Sequence, residues 1–161
     1  MVNFKNIVVG CFLTMCVLLS FLSGLESFGQ ESAIGINQGE ASHLVGEVTM
    51  PYITALQTGD VQTLQRLIDG NLAVTLGTLL RDNEEYPNFL REKFGKNNLL
   101  DTKSTLEQKV TESFVVTNNA QGSGVLIVEM SQPSGGLINL QLSVDKDKSG
   151  NWKVVDQKII R

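Results

Sequence analysis

The C-terminal part of the chain constrains the fold most, because four short apolar segments rich in β-branched residues follow one another there. Residues with turn propensity separate the segments. In the third segment, apolar and polar residues alternate with a period of two, which is typical of a strand with one buried and one solvated face. Short turns favour antiparallel neighbours. The sequence therefore predicts a four-stranded antiparallel meander, with strands at residues 109–118, 124–132, 137–145 and 152–160.

The residues that precede this region show the apolar spacing of amphipathic helices. Pro51 interrupts the first of them, which is therefore either kinked at this residue or begins near Thr49. Helices followed by a meander are typical of an α+β domain whose helices pack on one face of a curved sheet. The predicted helices lie at residues 43–58, 60–69, 71–81 and 84–94.

The first 29 residues have the layout of a secretory signal peptide. Lys5 precedes an apolar run at residues 7–22, and small residues at Ser27 and Gly29 predict cleavage before Gln30. An uncleaved membrane anchor is one alternative, because the apolar run approaches the length of a span. A lipoprotein signal ending at Cys11 is another. We expect export to the periplasm or the medium, with membrane contact only if the leader is not cleaved.

The leader is followed by a polar, glycine-rich segment without periodicity, so residues 30–42 are predicted to form a flexible tether. Residues 43–161 have the length of one domain. Removal of the leader takes away one basic and one acidic residue, and the net charge stays at −4. An acidic chain without a basic cluster lacks the electrostatic features of a nucleic-acid-binding protein.

Few residues of the chain are typical metal ligands. Both cysteines, Cys11 and Cys16, lie in the leader, and His43 is the single histidine. The mature chain therefore has no disulfide and no thiol nucleophile, and we expect neither a metal nor a cofactor. Residues 145–156 follow the spelling of a calcium-binding loop. Because both flanks are predicted strands, a polar hairpin is the preferred interpretation.

Two segments of the predicted domain resemble the NTF2-like (cystatin-like α+β) superfamily. Residues 52–64, YITALQTGDVQTL, are similar to the opening helix of that family and its Gly-Asp step into a second helix. Residues 147–156, DKSGNWKVVD, are similar to its last hairpin, in which a Trp begins the final strand. The resemblance implies a curved sheet wrapped on helices as a cone with one open end. It leaves the function open, since members include both enzymes and binding domains.

The enzymatic members use Asp, His and Tyr side chains in the cone, and no set of positions in this chain matches theirs. The residues themselves suggest a different candidate site, the two carboxylates Glu112 and Asp156, because the strand period places both among apolar neighbours. Two carboxylates in such a setting are suited to acid/base chemistry. The alternatives are a strand end, a bulge or a nearby lysine, and Val155 and Ile159 offer the opposite face as the buried one.

Aromatic residues complete the predicted pocket. Tyr52 and Tyr86 are either core and rim aromatics or hydrogen-bond donors in the pocket. The candidate pocket residues are Tyr52, Tyr86, Glu112, Phe114, Trp152 and Asp156.

We expect a domain that works by binding, either a small apolar ligand in the cone or a protein partner on the open face of the sheet. Val125 and Ile127 form a second apolar face on their strand, and the resemblance implies a homodimer through that face. The alternative is an isomerase or lyase that uses Asp156 or Glu112 as its base.

Overall fold

The computed structural model describes residues 34–116 and 122–160. The predicted signal peptide therefore lies outside the described residues. In chain order the elements are β1 (Ile34–Gly35), α1 (Gln38–His43), a π-helical segment (Leu44–Thr49), α2 (Met50–Thr58), α3 (Val61–Leu67), α4 (Gly70–Asp82), α5 (Tyr86–Phe94), β2 (Asn98–Leu99), α6 (Lys103–Ser113), β3 (Val115–Val116), β4 (Gly122–Ser131), β5 (Leu137–Lys146) and β6 (Trp152–Ile160).

The predicted α+β architecture is confirmed. Strands β3, β4, β5 and β6 pair antiparallel in sequence order, with β1 beside β3 and β2 on the same edge of β4 as β3. One face of the sheet packs into an apolar core together with the helices. Because apolar residues alternate with polar ones along β5, this burial also leaves a solvated outer face. The buried apolar residues of the three long strands are Leu126, Val128, Met130, Ile138, Leu140, Leu142, Val144, Trp152 and Val154.

The helical part of the domain begins earlier than the predicted boundary at His43. Asn37 caps α1, because its side-chain oxygen accepts a hydrogen bond of 2.9 Å from the backbone N–H of Glu40. Ile36 and Ala41 are buried in the core. The residues from Ile34 to Ser42, which the sequence predicts as tether, are therefore part of the packed domain.

The first long helix also continues through Pro51 and does not begin near Thr49. The π-helical segment lies directly before the proline, and the N–H of Met50 bonds to the carbonyl oxygen of Val45. The buried Thr49 hydroxyl donates to the carbonyl oxygen of Leu44 at 3.2 Å. A π segment is one way in which a helix accommodates a proline, which has no N–H of its own.

The predicted strand at residues 109–118 is wrong for most of its length, because Lys103–Ser113 form helix α6. Thr102 caps this helix, and Leu106 and Val110 are buried one helical turn apart. The strand begins only at Val115. The alternation from Val110 to Phe114 fits a period of two, but the same apolar residues also fit a helix, and burial favours the helix.

A buried carboxylate joins the start of α6 to the sheet. Asp101 accepts one hydrogen bond of 2.7 Å from the backbone N–H of Glu129 in β4 and another of 2.7 Å from Lys109 Nζ in α6. Strands β2 and β3 pair with opposite ends of β4, and α6 connects them. Asp101 therefore helps to fix the place where the edge strand is interrupted by a helix.

Two aromatic rings in the core pack against two glycines of β4. The rings of Phe114 and Trp152 meet edge to face, with their centroids 6.0 Å apart. A Cβ at Gly124 would overlap the Phe114 ring, and a Cβ at Gly122 would press on the Trp152 ring. Glycine is thus required in this part of β4 for close approach of the rings, and the backbone there needs no unusual dihedral angles.

We expect Gly124→Ala to lower the free energy of unfolding by about 2 kcal/mol, because the new methyl group would force the packed Phe114 ring out of place. Urea unfolding followed by circular dichroism measures the change. Gly35→Ala is the matched control, since a Cβ at Gly35 meets no atom within 4 Å, and it should change the free energy by less than about 0.5 kcal/mol. Equal effects of the two substitutions would contradict this account of the packing.

Candidate functional site

A cleft of about 320 Å³ lies between helix α5 and the end of β6. Its walls combine three aromatic rings with aliphatic side chains, and its lining contains no carboxylate. Three other clefts of similar volume each contain at least one Asp or Glu. The residues that line the α5–β6 cleft are Tyr86, Phe89, Leu90, Lys93, Phe94, Leu140, Gln157, Lys158 and Ile159.

The cleft exists because α5 packs chiefly on α2 and not on the sheet. Two glycines allow this close approach. A Cβ at Gly59 would lie 2.6 Å from the carbonyl oxygen of Pro87, and a Cβ at Gly95 would lie 2.9 Å from that of Gln57. Leu90 and Phe94 of α5 are buried by the packing. A space therefore remains between the adjoining face of α5 and strand β6.

The side chains that α5 contributes follow the spacing of one helical face. Phe89 is 48% exposed although it is a large apolar residue. The centroid of its ring lies 5.5 Å from the centroid of the Tyr86 ring. The Nζ atom of Lys93 lies 5.5 Å from the centroid of the Phe89 ring and 5.6 Å from that of Phe94. These distances are within the range of cation–π interactions, so the ammonium group is held beside the aromatic wall.

A buried tyrosine supports the strand side of the cleft. The Tyr52 hydroxyl donates a hydrogen bond of 2.8 Å to Oε1 of Gln157. Burial, together with the neighbouring Tyr86 and Asp156, raises the pKa of Tyr52 above its usual value. The hydroxyl therefore stays protonated and remains a donor. With Oε1 engaged in this way, the Nε2 group of Gln157, which has no protein partner among the described residues, can donate to a molecule in the cleft.

Burial also raises the pKa of Tyr86. Its hydroxyl makes no hydrogen bond to protein groups among the described residues, and Tyr86 itself lines the cleft. Both tyrosines named by the sequence are thus connected with this site, Tyr86 in its wall and Tyr52 beneath it. The sequence reasoning missed Phe89, Lys93 and Gln157. The helical spacing of α5 could have indicated the first two.

The two carboxylates predicted for the pocket are not part of this cleft. Glu112 lies on α6 and is exposed, and it accepts a hydrogen bond of 2.8 Å from Gln108 one turn before it. Its assignment to an apolar strand face was therefore wrong, since that part of the chain is helical. Glu112 lines a different groove together with Glu107 and Gln108.

A β-bulge decides the position of Asp156. Val154 pairs with Val144, but Asp156 pairs with the next residue, Ser143, so Val155 is an extra residue in β6. The bulge reverses the alternation of β6. Asp156 therefore lies on the outer face of the sheet and is exposed, whereas Trp152 and Val154 are buried in the core. The sequence prediction that these three residues share one face was wrong.

The two remaining candidates, Phe114 and Trp152, form the aromatic pair of the core. Both are buried. The indole Nε1 of Trp152 is buried and has no hydrogen-bond partner among the described residues. Trp152 begins β6 whereas the cleft lies at the end of that strand, so the structure does not bring Trp152 and Phe114 together with Tyr86.

The residues that spell a calcium loop form a hairpin turn. The Asp147 carboxylate accepts hydrogen bonds from the backbone N–H groups of Ser149 and Asn151, at 2.8 and 2.9 Å. These bonds, that of Asn151 first, hold the pKa of Asp147 below its usual value. Gly150 has φ of 82°, as the turn requires. Among residues 34–116 and 122–160, no group of three or more metal-ligating side chains could hold an ion.

No described helix is long and apolar enough to span a membrane. Comparisons of the chain with protein-family models, with curated proteins and with solved structures find no match.

We expect Tyr52→Phe to lower the free energy of unfolding by about 1 kcal/mol, the usual net contribution of one intramolecular hydrogen bond. The ring is retained, so packing of the core should not change. Tyr86→Phe is the matched control, because its hydroxyl has no protein partner among the described residues, and the expected change is below about 0.5 kcal/mol. Thermal unfolding of both variants would test the difference, and a larger loss for Tyr86→Phe would contradict it.

Proposed function

We propose that this chain is an exported, NTF2-like binding domain, and that the α5–β6 cleft holds its ligand. The observation that carries the proposal is the lining of the cleft, which presents exposed aromatic surface beside a few fixed polar groups. Small-molecule sites in proteins are typically concave and mostly apolar, with a small number of oriented donors and acceptors. Here Phe89 supplies exposed aromatic surface, and Gln157 and Lys93 supply polar groups, so polar and apolar surface are present in nearly equal amounts.

The volume and position of the cleft also support binding of a small molecule. Such sites have volumes of roughly 300–1,000 Å³, and this cleft, at about 320 Å³, is near the lower limit. It lies between helix α5 and the sheet. An NTF2-like cone is expected to have its open end between helices and sheet. The resemblance of residues 52–64 and 147–156 to the NTF2-like superfamily is in agreement with a site at that end.

The enzymatic alternative has less support from the geometry. Phe114, Trp152 and Leu140 are buried and fill the core between helices and sheet. The carboxylates considered as bases, Glu112 and Asp156, are exposed on different elements and neither lines the α5–β6 cleft. A base must lie within hydrogen-bond reach of its substrate. Binding is therefore the function that the arrangement supports best.

We expect the neutral fluorescent dye Nile red to bind to the purified domain in a fluorescence titration. Ile159→Trp should lower the affinity at least about tenfold, because Ile159 lines the cleft and a larger side chain would fill it. Ile160→Trp is the matched control, since the adjacent residue lies on the outer face of the same strand, paired with Asn139. Unchanged dye affinity of Ile159→Trp would show that the cleft is not the binding site.

A second candidate function is formation of a homodimer through the outer face of the sheet. Val125 and Ile127 are 48% and 45% exposed on this face. Cross-strand pairing places Asp156 in the row of Val125 and Lys158 in the row of Ile127. A two-fold contact uses the same patch on both copies. A patch with apolar residues next to both signs of charge can therefore be complementary to itself.

We expect sedimentation velocity at tens of micromolar protein to show a dimer, and Val125→Lys combined with Ile127→Lys to give a monomer. Two added ammonium groups per copy would face their equivalents across the two-fold axis and repel. Val74→Lys is the control, because Val74 is 68% exposed on α4 and away from the sheet. A monomeric parent domain would exclude the dimer and leave the proposal for the cleft unaffected.

A further inference from the structure

The electrostatic character of the α5–β6 cleft is opposite to that of the chain as a whole. The chain carries a net charge of −4, but the lining contains two lysines and no carboxylate. The strand that contains Lys158 lines the cleft. The Lys158 side chain, however, lies on the outer face of the sheet, because Lys158 pairs with Gln141 there. Lys93 is therefore the residue that places a charge at the aromatic wall.

The aromatic residues hold this charge in place. Lys93 Nζ lies within 5.6 Å of two phenylalanine centroids, those of Phe89 and Phe94. Aromatic walls of this kind commonly attract cationic ligands. Here the protein's own ammonium group already occupies the position beside the rings, and it would repel a second cation. The same group would attract an anion that enters the cleft.

Further donors face the same space. Gln157 can donate through Nε2, because its Oε1 accepts from Tyr52. Tyr86 is a phenol and therefore protonated at neutral pH, and its hydroxyl is a second donor. An ionised carboxylate is an acceptor that can take several hydrogen bonds at once. The polar part of the cleft thus contains an ammonium, an amide N–H and a phenol, each of which can donate a hydrogen bond to a carboxylate.

The rest of the lining complements an apolar body. Ile159 lies beside the rings and supplies aliphatic surface, and the buried residues Leu90 and Leu140 lie beneath it. The small volume favours a short aliphatic or aromatic ligand over a long acyl chain. Since a phosphate or sulfate would carry more charge than one resident lysine neutralises, a single negative charge fits the site best.

We propose that the ligand of the α5–β6 cleft is a small amphipathic monocarboxylate, with its carboxylate at Lys93 and its apolar body against Phe89 and Ile159. This inference rests on the proposed function and adds the chemical class of the ligand. The occupant is a free small molecule, because a lipid bilayer could not place an acyl chain in a cleft of about 320 Å³.

The test is isothermal titration calorimetry of the purified domain with octanoate, 1-octanol and octylamine, which share one apolar chain and differ in head group. We expect octanoate to bind about tenfold more tightly than 1-octanol, the difference that one charge-assisted hydrogen bond provides, and octylamine to bind most weakly. Lys93→Met should remove the preference for octanoate over 1-octanol while the affinity for 1-octanol is retained.

Lys96→Met is the matched control. It removes the same charge three residues later, in the turn that follows α5, from an exposed residue that does not line the cleft, and it should leave the preference intact. Equal binding of octanoate and 1-octanol by the parent domain would overturn the inference. An equal loss of the preference for octanoate in Lys93→Met and Lys96→Met would also overturn it. In both cases, a lower affinity of Ile159→Trp for Nile red would still support the cleft as a ligand site. If none of the probes binds, the proposed function fails as well.

Discussion

Burial of one face of the β4–β5–β6 sheet is the interaction on which the rest of the structure depends. The buried strand residues form one continuous apolar core with the helices. Tyr52, Leu56 and Leu44 of the first long helical stretch are fully buried in it. At roughly 25 cal/mol per Å² of apolar surface, burial of a face of this size is the dominant favourable term in folding. Local features, such as the π segment and the glycines of β4, adjust the backbone to that burial.

The sequence predicts the elements whose periodicity is unambiguous. Strand β5 was expected at residues 137–145 and is found at Leu137–Lys146, because its alternation has no helical alternative. Helix α6 was missed for the opposite reason, since the apolar residues at positions 110 and 114 fit both periods. The contacts that favour the helix are distant in sequence. Asp101 bonds to the backbone of Glu129, and no local pattern contains that information.

The candidate site was less predictable than the fold, because its position depends on one inserted residue and on one gap in the packing. The extra residue in β6, Val155, turns Asp156 outward and Gln157 inward. The gap exists because α5 packs on α2 and not on the sheet. Close backbone contacts at two glycines make that packing possible. A single sequence shows the glycines and the aromatics, but it does not show that Gly59 and Gly95 meet the backbone of other elements.

The same constraint that buries the sheet accounts for the chemistry of the cleft. Where α5 stands away from β6, apolar residues selected for a core are left beside solvent, and Phe89 is exposed for that reason. An exposed apolar groove invites nonspecific association unless polar groups restrict what enters. Lys93 and Gln157 are such groups, because each is held by a neighbour, the phenylalanine rings in one case and Tyr52 in the other. The hydrogen bond from Tyr52 orients Gln157, which would lower the entropy lost on binding. This is the physical basis on which we propose that the gap in the packing prefers one class of ligand.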